Sequence, residues 1–306
     1  MGVQTRGTFV ELHDNIDRTV FTLLGQEWKE QKPIWRRYYA VKPSGKRSED
    51  ITTVSGVADV PEKPEGTPYA TDVIRVGYNR NVLATEFGLM FEVTQTALED
   101  DRYDVLTDHA KWFMFSARVV QEKRAAILFN NGFTTETSPD GVSIFNASHA
   151  LRSGTTARNQ LSTASDLSWT SLQQALVDWQ RETVFEAGQF MLPVEDLILL
   201  VPPELEFTAA TIVSSSLRPG IADNDLNTIR TLRNISVVKN VYLTDTDAWF
   251  LLAANKSHGF ISFTRAPMSM EPPMTDPRTR NRLYPVRFRQ SWANKWWQNS
   301  FGTAGA

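Results

Sequence analysis

The sequence predicts an α+β fold in which extended segments with little core of their own precede a long helix and a mixed α/β region. Three observations predict it. Short β-prone runs separated by turn residues fill residues 34 to about 93, and an uninterrupted helical period follows as far as Asn130. Strand and helix patterns then alternate over residues 166–265.

The composition places the chain among folded proteins and excludes several kinds of site. Of 306 residues, 41% are hydrophobic, which is enough for a substantial core. The net charge of -3 gives no overall attraction to nucleic acid or to an anionic membrane. The absence of cysteine excludes disulfides, thiolate metal sites and cysteine nucleophiles. No apolar run approaches the ~20 residues needed to cross a bilayer, so we expect no membrane contact.

Residues 1–33 are predicted to form an extended arm with one short helix, closed by Pro33. A β-ribbon is predicted over residues 34–81, with strand-like runs at 35–41, 51–57 and 72–78, and a further strand at 82–93. Turn-forming stretches at 42–47 and 61–68 separate the ribbon's runs. Because isolated hairpins are marginal in water, we expect this ribbon to require another surface.

The long helix is predicted over about 97–130, within a unit spanning residues 82–165. Thr94 or Thr96 can cap it, and apolar residues recur near the 3.6-residue period without Gly or Pro. Asn131-Gly132 is predicted to stop it in the left-handed conformation. At ~1.5 Å per residue, such a helix spans ~50 Å and is typical of a structural axis.

Residues 166–265 carry the mixed α/β pattern. Ser168 is predicted to cap a helix, a buried strand is predicted at 196–201, and a helix is predicted from Pro202-Pro203 to Ile212. Further strands are predicted at 236–242, 249–254 and 259–263. In the last unit, residues 266–306, a Pro-rich link at 267–277 leads to a final strand at 283–292, with Tyr284, Val286, Phe288 and Trp292 on one face.

We find no pattern of catalytic, cofactor-binding or metal-binding residues. Phosphate-loop, dinucleotide, nucleophile-elbow and zinc-protease motifs are absent, and no histidine has a second His or Cys at ligand spacing. Asp223, Asp225 and Asn227 have the first spacings of a calcium loop, but Thr228 replaces the required glycine. An α/β enzyme using residues 166–265 remains an alternative without a visible nucleophile or base.

Two regions are typical of contact surfaces. Basic residues cluster around the start of the ribbon, and a cluster of this kind suits an acidic patch on another subunit at least as well as phosphate. The polar loops at 131–165 and 214–235 are long and rich in small residues. The subunit-contact candidates are Arg36, Arg37, Lys42, Lys46, Arg47, Asp223 and Asp225. The C-terminal aromatic residues, including Trp296, Trp297 and Phe301, favour packing on the core or a neighbour over nucleic-acid stacking.

The order of these elements resembles the major capsid proteins of tailed bacteriophages, which have the HK-ninety-seven-type fold. The run 84–94 before the helix, Phe129-Asn-Asn-Gly132 at its end, and 140–146 are similar to segments of that family. The resemblance implies an N-arm at 1–33, an E-loop at 34–81 and a P-domain at 82–165 with its spine helix at about 97–130. It further implies an A-domain at 166–265 and a return strand to the P-domain within 266–306.

The same resemblance implies a structural, non-enzymatic function without cofactors. The chain would self-assemble into hexamers and pentamers of an icosahedral shell around double-stranded DNA, built in the bacterial host cytoplasm and found in the virion. Expected partners are copies of itself, a separate scaffolding protein, a portal and a decoration protein, with weak nonspecific contact to packaged DNA. A tail-tube or portal-associated component is the alternative within phage structural proteins.

Overall fold

The structure is a computed structural model that describes residues 33–54, 60–71, 76–94, 96, 103–151, 153–191, 194–219 and 225–306. For residues 103–111 and 114 it describes the backbone alone. The predicted arm, apart from Pro33, lies outside the described residues. So do residues 97–102, where the long helix was predicted to start, and Asp223.

Thirteen strands and four α-helices occupy the described ranges. The strands are β1 (Ala40–Pro43), β2 (Ser48–Val54), β3 (Val76–Leu83), β4 (Thr85–Val93), β5 (His149–Ala150), β6 (Thr156–Ala157), β7 (Asp196–Val201), β8 (Asn234–Lys239), β9 (Trp249–Ala253), β10 (Phe260–Met270), β11 (Met274–Thr275), β12 (Arg282–Asn294) and β13 (Ser300–Thr303). The helices are α1 (Tyr103–Asn130), α2 (Trp169–Glu182), α3 (Glu206–Ser214) and α4 (Thr228–Leu232), and short 3-10 turns cover Ile34–Arg37 and Pro203–Leu205.

Helix α1 confirms the prediction of one long helix ending at Asn130. The reason given for its end was wrong, because Gly132 is not among the glycines with a positive φ. Glycine is needed at position 132 because there is no room for a side chain. An added Cβ would lie 2.6 Å from the carbonyl oxygen of Leu128 and 2.8 Å from the Phe145 ring.

The long strand β12 organises the first sheet. It pairs with β4 on one side and with β10 on the other, and β1 adds to β10 in parallel. As predicted, Tyr284, Val286 and Phe288 share one face of β12, where they pack against α1, and Trp292 contacts the same cluster. On the opposite face, Arg287 pairs with the carboxylate of Glu86 at 2.5 Å.

The second sheet has the order β13-β9-β7-β8 and is covered on both faces. The predicted buried strand at β7 is confirmed, because five of its six residues are buried. On one face, Leu197, Leu199 and Leu251 pack with α2 and α3. On the other face, Ile198, Leu200 and Phe250 pack with the C-terminal half of α1 and with the segment around Trp35. Ser168 caps α2 as predicted, in a reciprocal pair with Ser171.

The predicted strand at 35–41 is wrong over most of its length. Residues Ile34–Arg37 form a 3-10 turn, and the strand begins only at Ala40. Trp35, Tyr38 and Tyr39 are buried. Tyr38 and Tyr39 contact the Phe129 ring edge-on, and Trp35 contacts Tyr39 in the same way. Large aromatic side chains bury more area in a core than on an exposed ribbon, which explains why packing overrides the β propensity of this run.

Three other strand predictions need correction. The run 82–93 is interrupted at Ala84, and its two parts pair with different strands, β2 and β12. The predicted link at 267–277 begins inside β10, which continues through Pro267 to Met270. The register between β10 and β12 shifts between Ala266 and Ser269, and such an irregularity tolerates a proline that cannot donate a ladder hydrogen bond. The strand at 283–292 is not the last, because β13 follows and pairs with β9.

The predicted ribbon is observed as a hairpin of β2 and β3, with residues 55–59 and 72–75 outside the described part. Its base packs through Ile51 and Val82 on Ala293 of β12. Within the described residues, no helix combines the length and the apolar character needed to cross a membrane.

Candidate subunit-contact surface

Basic residues from three distant parts of the chain form one surface beside β1. The Lys256 ammonium donates to the carbonyl oxygen of Arg36 at 3.0 Å. The backbone N–H of Lys295 donates to Gly259 at 2.7 Å, and its ammonium lies 4.3 Å from the centre of the Trp296 ring. We call Arg36, Arg37, Lys42, Lys256 and Lys295 the basic patch.

The positive charges of the basic patch lie close enough together to affect the pKa of one of its members. Partial burial lowers the pKa of Lys295, and the nearby positive charge of Lys42 lowers it further. Among the described residues, no carboxylate forms an ion pair with any of the five basic side chains. Positive charges held together without compensation favour an external anionic group.

The sequence predicted only part of this surface. It identified Arg36, Arg37 and Lys42, which lie close together along the chain. It missed Lys256 and Lys295, because only the pairing of β10 with both β1 and β12 brings them to the same edge. The side chains of Lys46 and Arg47 are exposed in the turn between β1 and β2, where the Arg47 carbonyl accepts a hydrogen bond from Ala84 N–H at 3.1 Å.

The side chain of Asn227 stabilises the 225–228 region through hydrogen bonds. Its side-chain oxygen accepts from Ile229 N–H, capping α4, and from the Trp169 indole at 3.0 Å. Its amide nitrogen donates to the carbonyl oxygens of Ile212 and Ser215. The Asn227 amide is therefore committed to structure and is not a free metal ligand.

Asp225 is exposed beside this cap, and its carbonyl oxygen accepts from Arg218 N–H at 2.8 Å. Across the described ranges, no three His, Asp or Glu side chains converge as a metal site requires.

Glu122 of α1 holds the start of the described chain. Its carboxylate accepts from the backbone N–H of Ile34 at 2.6 Å and from that of Trp35 at 3.2 Å. Burial raises the pKa of Glu122, while these two N–H groups and the charge of Arg118 act in the opposite direction. No local pattern in the sequence indicates this contact, because the partners are 87 and 88 residues apart.

His149, which appeared isolated in the sequence, lies in a fully buried cluster. Its ring stacks on Trp297 at 4.4 Å, and its Nδ1 lies 2.6 Å from the carboxylate of Asp140. Its Nε2 lies 3.1 Å from the side-chain oxygen of Asn159, whose amide nitrogen donates to Ile144. Both ring nitrogens are engaged away from solvent, so this cluster ties the 131–165 loop to the C-terminal segment.

The ribbon presents the most exposed part of the described chain. Residues 60–71 at its tip are all exposed, and Val60 and Tyr69 retain 95% and 81% of their accessible area. The Lys63 ammonium lies 4.4 Å from the centre of the Tyr69 ring, and Thr67 closes a turn on Pro64. Large apolar side chains that are exposed at the tip of a hairpin are typical of a surface that is covered in an assembly.

Comparison with known proteins identifies the family. The model of a phage capsid protein family matches residues 79–294, more than two thirds of the chain. The chain belongs to this phage capsid protein family. No curated protein sequence matches it.

Solved structures of a phage capsid and of two other particles share the fold. The capsid of cyanophage P-SCSP1u is similar with a TM-score of 0.60 and 11% identity, over 90% of this chain and 89% of that one. The capsid of an empty GTA particle is similar with a TM-score of 0.56 and 14% identity, over 90% of both chains. A virus-like particle from Pyrococcus furiosus is similar with a TM-score of 0.52 and 10% identity, over 94% and 98%. The predicted α+β fold of phage major capsid type is confirmed, and this capsid protein is a structural protein of the virion.

Proposed function

We propose that this capsid protein assembles into hexamers and pentamers that close an icosahedral shell around double-stranded DNA, and that it catalyses no reaction. The family match over residues 79–294 carries this proposal. The surface supports it, because an exposed ribbon and a basic patch that has no ion pair with a described carboxylate are suited to contacts between copies. Head-to-tail contacts of this kind close into rings when the rotation between copies permits.

The division of the chain follows the family resemblance. Residues 1–33 form the N-arm, 34–81 the E-loop, 82–165 the P-domain, 166–265 the A-domain, and 266–306 the link and return strand. Helix α1 is the spine helix of this scheme. The packing of β12 on α1 supports assigning the return strand to the P-domain.

Contacts between copies use the E-loop and the basic patch. Arg36, Arg37, Lys42, Lys46 and Arg47 lie at or near the ribbon base, and all five side chains are exposed. Asp223 and Asp225 contribute from the 214–235 loop. Contacts distributed over arm, ribbon and domain edges bury well above the ~2,000 Å² at which obligate assemblies begin.

The further partners are a separate scaffolding protein, a portal, a decoration protein and, weakly and nonspecifically, packaged DNA. Assembly takes place in the cytoplasm of the bacterial host. Few DNA contacts are expected because the chain carries a net charge of -3.

Electron microscopy of the purified protein tests the proposal. Icosahedral or prohead-like particles are the expected result, with or without a co-expressed scaffolding protein. Tubes would favour a tail component instead. Dispersed monomers of 34.6 kDa with a measurable activity would favour an α/β enzyme acting through residues 166–265.

A further inference from the structure

An apolar groove lies between helices α2 and α4 on the surface of the mixed α/β region. Its apolar lining residues are Leu176, Val177, Ile229 and Leu232, and its volume is about 360 Å³. We call it the α2–α4 groove. Val177 and Leu232 remain 41% and 73% exposed. Apolar residues that stay exposed together around a groove are typical of a site that binds a segment of another protein.

The border of the α2–α4 groove is basic. Arg233 lines the groove, and Arg230 is exposed on the last turn of α4. None of the lining residues is acidic. Over the ranges that the structure describes, neither guanidinium forms an ion pair with a carboxylate. The groove therefore fits an apolar side chain that has a carboxylate beside it.

The start of helix α3 presents a side chain of this kind. Phe207 is 80% exposed in its first turn. Glu204 is exposed three residues earlier, in the 3-10 turn that leads into α3, and side chains at this spacing project from the same side. The neighbouring Glu206 pairs with Lys239 at 2.9 Å, whereas no described cation pairs with Glu204. The Phe207 ring and the Glu204 carboxylate are therefore both available for a contact.

The exposed ring and the groove lie at opposite ends of strand β8. Lys239, which holds Glu206, is the last residue of β8, whereas Arg233 directly precedes the first residue, Asn234. A strand of six residues spans ~20 Å. Phe207 is not a lining residue of the groove in its own subunit. Complementary surfaces at opposite ends of one element make head-to-tail contacts, which close into rings when the rotation between copies permits.

We propose that Phe207 of each subunit inserts into the α2–α4 groove of the next subunit in a ring, and that its Glu204 pairs with Arg233 there. This rests on the proposed function, because it is one of the contacts that hold a ring of copies together. The inserted aromatic ring covers Val177 and Leu232, and the charged pair at the border fixes the orientation. The occupant of the groove is a second copy of this chain.

Exchange of the two charges tests the pairing. Glu204→Arg and Arg233→Glu should each lower the yield of particles by at least ~10-fold, because each places like charges together at the border of the groove. The double variant Glu204→Arg/Arg233→Glu restores opposite charges between every pair of neighbours, so its yield should return to within ~3-fold of wild type. A double variant that is no better than the single variants would overturn the pairing.

Thermal unfolding of the soluble subunits controls for folding in these variants. Neither side chain has an ion pair with a described residue, so we expect all three midpoints to match that of wild type. Phe207→Ala should lower the particle yield in the same way and also leave the midpoint unchanged, because Phe207 is 80% exposed. A normal yield of particles from Phe207→Ala would overturn the insertion.

Disulfide trapping locates the contact, because the chain has no cysteine of its own. Chains carrying only Thr208→Cys, which keep Phe207, are co-assembled with chains carrying only Leu232→Cys and oxidised with copper phenanthroline. We expect disulfide-linked dimers, detected on non-reducing gels and as a linked peptide by mass spectrometry. The control pair, Thr208→Cys with Trp112→Cys, uses a residue of similar exposure on α1, and it should react at least ~10-fold more slowly.

Three results of the trapping experiment would overturn the proposal. One is equal rates for the 208/232 and 208/112 pairs. Another is an intramolecular disulfide in the doubly substituted soluble chain Thr208→Cys/Leu232→Cys, since the groove would then be filled within one subunit. The third is a Leu232→Cys thiol that is protected only after a scaffolding protein is added, since the groove would then belong to that protein.

Imaging the same preparations keeps this contact and the proposed function distinguishable. Normal icosahedral particles without the 208/232 disulfide would refute only the contact. Efficient 208/232 dimers in rings or tubes, with no closed shells, would support the contact and refute only the proposed shell.

Discussion

Replacing Glu122 by alanine removes the acceptor that holds the backbone of Ile34 and Trp35 against α1. The Glu122 carboxylate binds the N–H groups of Ile34 and Trp35, and Trp35 is buried against Trp292 and Tyr39. In Glu122→Ala these two N–H groups lose their partner in a mostly buried place. Each unsatisfied group costs ~1–3 kcal/mol, so we expect the free energy of unfolding to fall by about 2–6 kcal/mol.

Glu122→Gln is the matched control. The glutamine retains a side-chain oxygen for the Ile34 N–H, so its loss of stability should be below about 1.5 kcal/mol. Urea unfolding of the soluble subunit measures both values, and hydrogen exchange at residues 34 and 35 reports the contact itself.

The two variants also differ from wild type in pH dependence. Burial raises the pKa of Glu122 above 4.5, so the folded state binds a proton more readily than the unfolded state. The wild-type contribution therefore falls as pH rises from 4.5 through the folded pKa, and it is absent from Glu122→Gln. Unchanged amide exchange at residues 34 and 35 in Glu122→Ala would refute the role assigned to this carboxylate.

Three further predictions concern other parts of the molecule. Burial lowers the pKa of His258 to about 3, so its contribution to stability should fall by about 1.4 kcal/mol per pH unit as pH decreases from 6.5 toward 3. The loss of stability on acidification should therefore be smaller in His258→Gln than in wild type, as measured by urea titrations. Gly259→Ala should destabilise the fold by about 3 kcal/mol or more, because its Cβ would lie 2.1 Å from the Trp296 carbonyl oxygen; Gly45→Ala, where the space is open, should change the thermal midpoint little. The double variant Lys42→Glu/Lys295→Glu should reduce the yield of particles in electron micrographs by about tenfold. The control Arg278→Glu, on an exposed turn, should leave the yield unchanged. Equal yields from the two variants would show that the basic patch is not part of the contact surface.

The sequence predicted correctly those elements that depend on residues close together along the chain. Ser168 caps α2 through Ser171, three residues away, and β7 is a short apolar run followed by two prolines. The face of β12 carrying Tyr284 and Val286 follows from the two-residue period of a strand. Each of these features is encoded within about ten residues.

Features that depend on contacts between residues far apart in the sequence were not predictable. Trp35 and Tyr39 have strand propensity but are buried around Phe129, about ninety residues away, so tertiary packing sets their conformation. The basic patch requires β10 to pair with both β1 and β12 before Lys256 comes close to Arg36 and Lys295 comes close to Lys42. The buried His149 cluster similarly depends on Trp297 returning from the C-terminal segment.

Trp35, Tyr38 and Tyr39 are buried within one subunit, so we expect dependence on neighbouring copies to begin after residue 39 and not at residue 34. Tyr38 and Tyr39 are fully buried, and the Tyr39 hydroxyl donates to the Ala125 carbonyl at 2.8 Å, so this segment is stabilised within one subunit. The ribbon tip at 60–71 has no such burial.

Hydrogen exchange of the soluble subunit should therefore be as slow at residues 38 and 39 as in the second half of α1, and fast at 60–71. In assembled particles, exchange at 60–71 should slow at least ~10-fold while residues 38 and 39 change little. Fast exchange at Tyr38 and Tyr39 in the soluble subunit would show that this segment, too, depends on assembly. Unchanged exchange at 60–71 in particles would instead exclude the ribbon tip from contacts between copies.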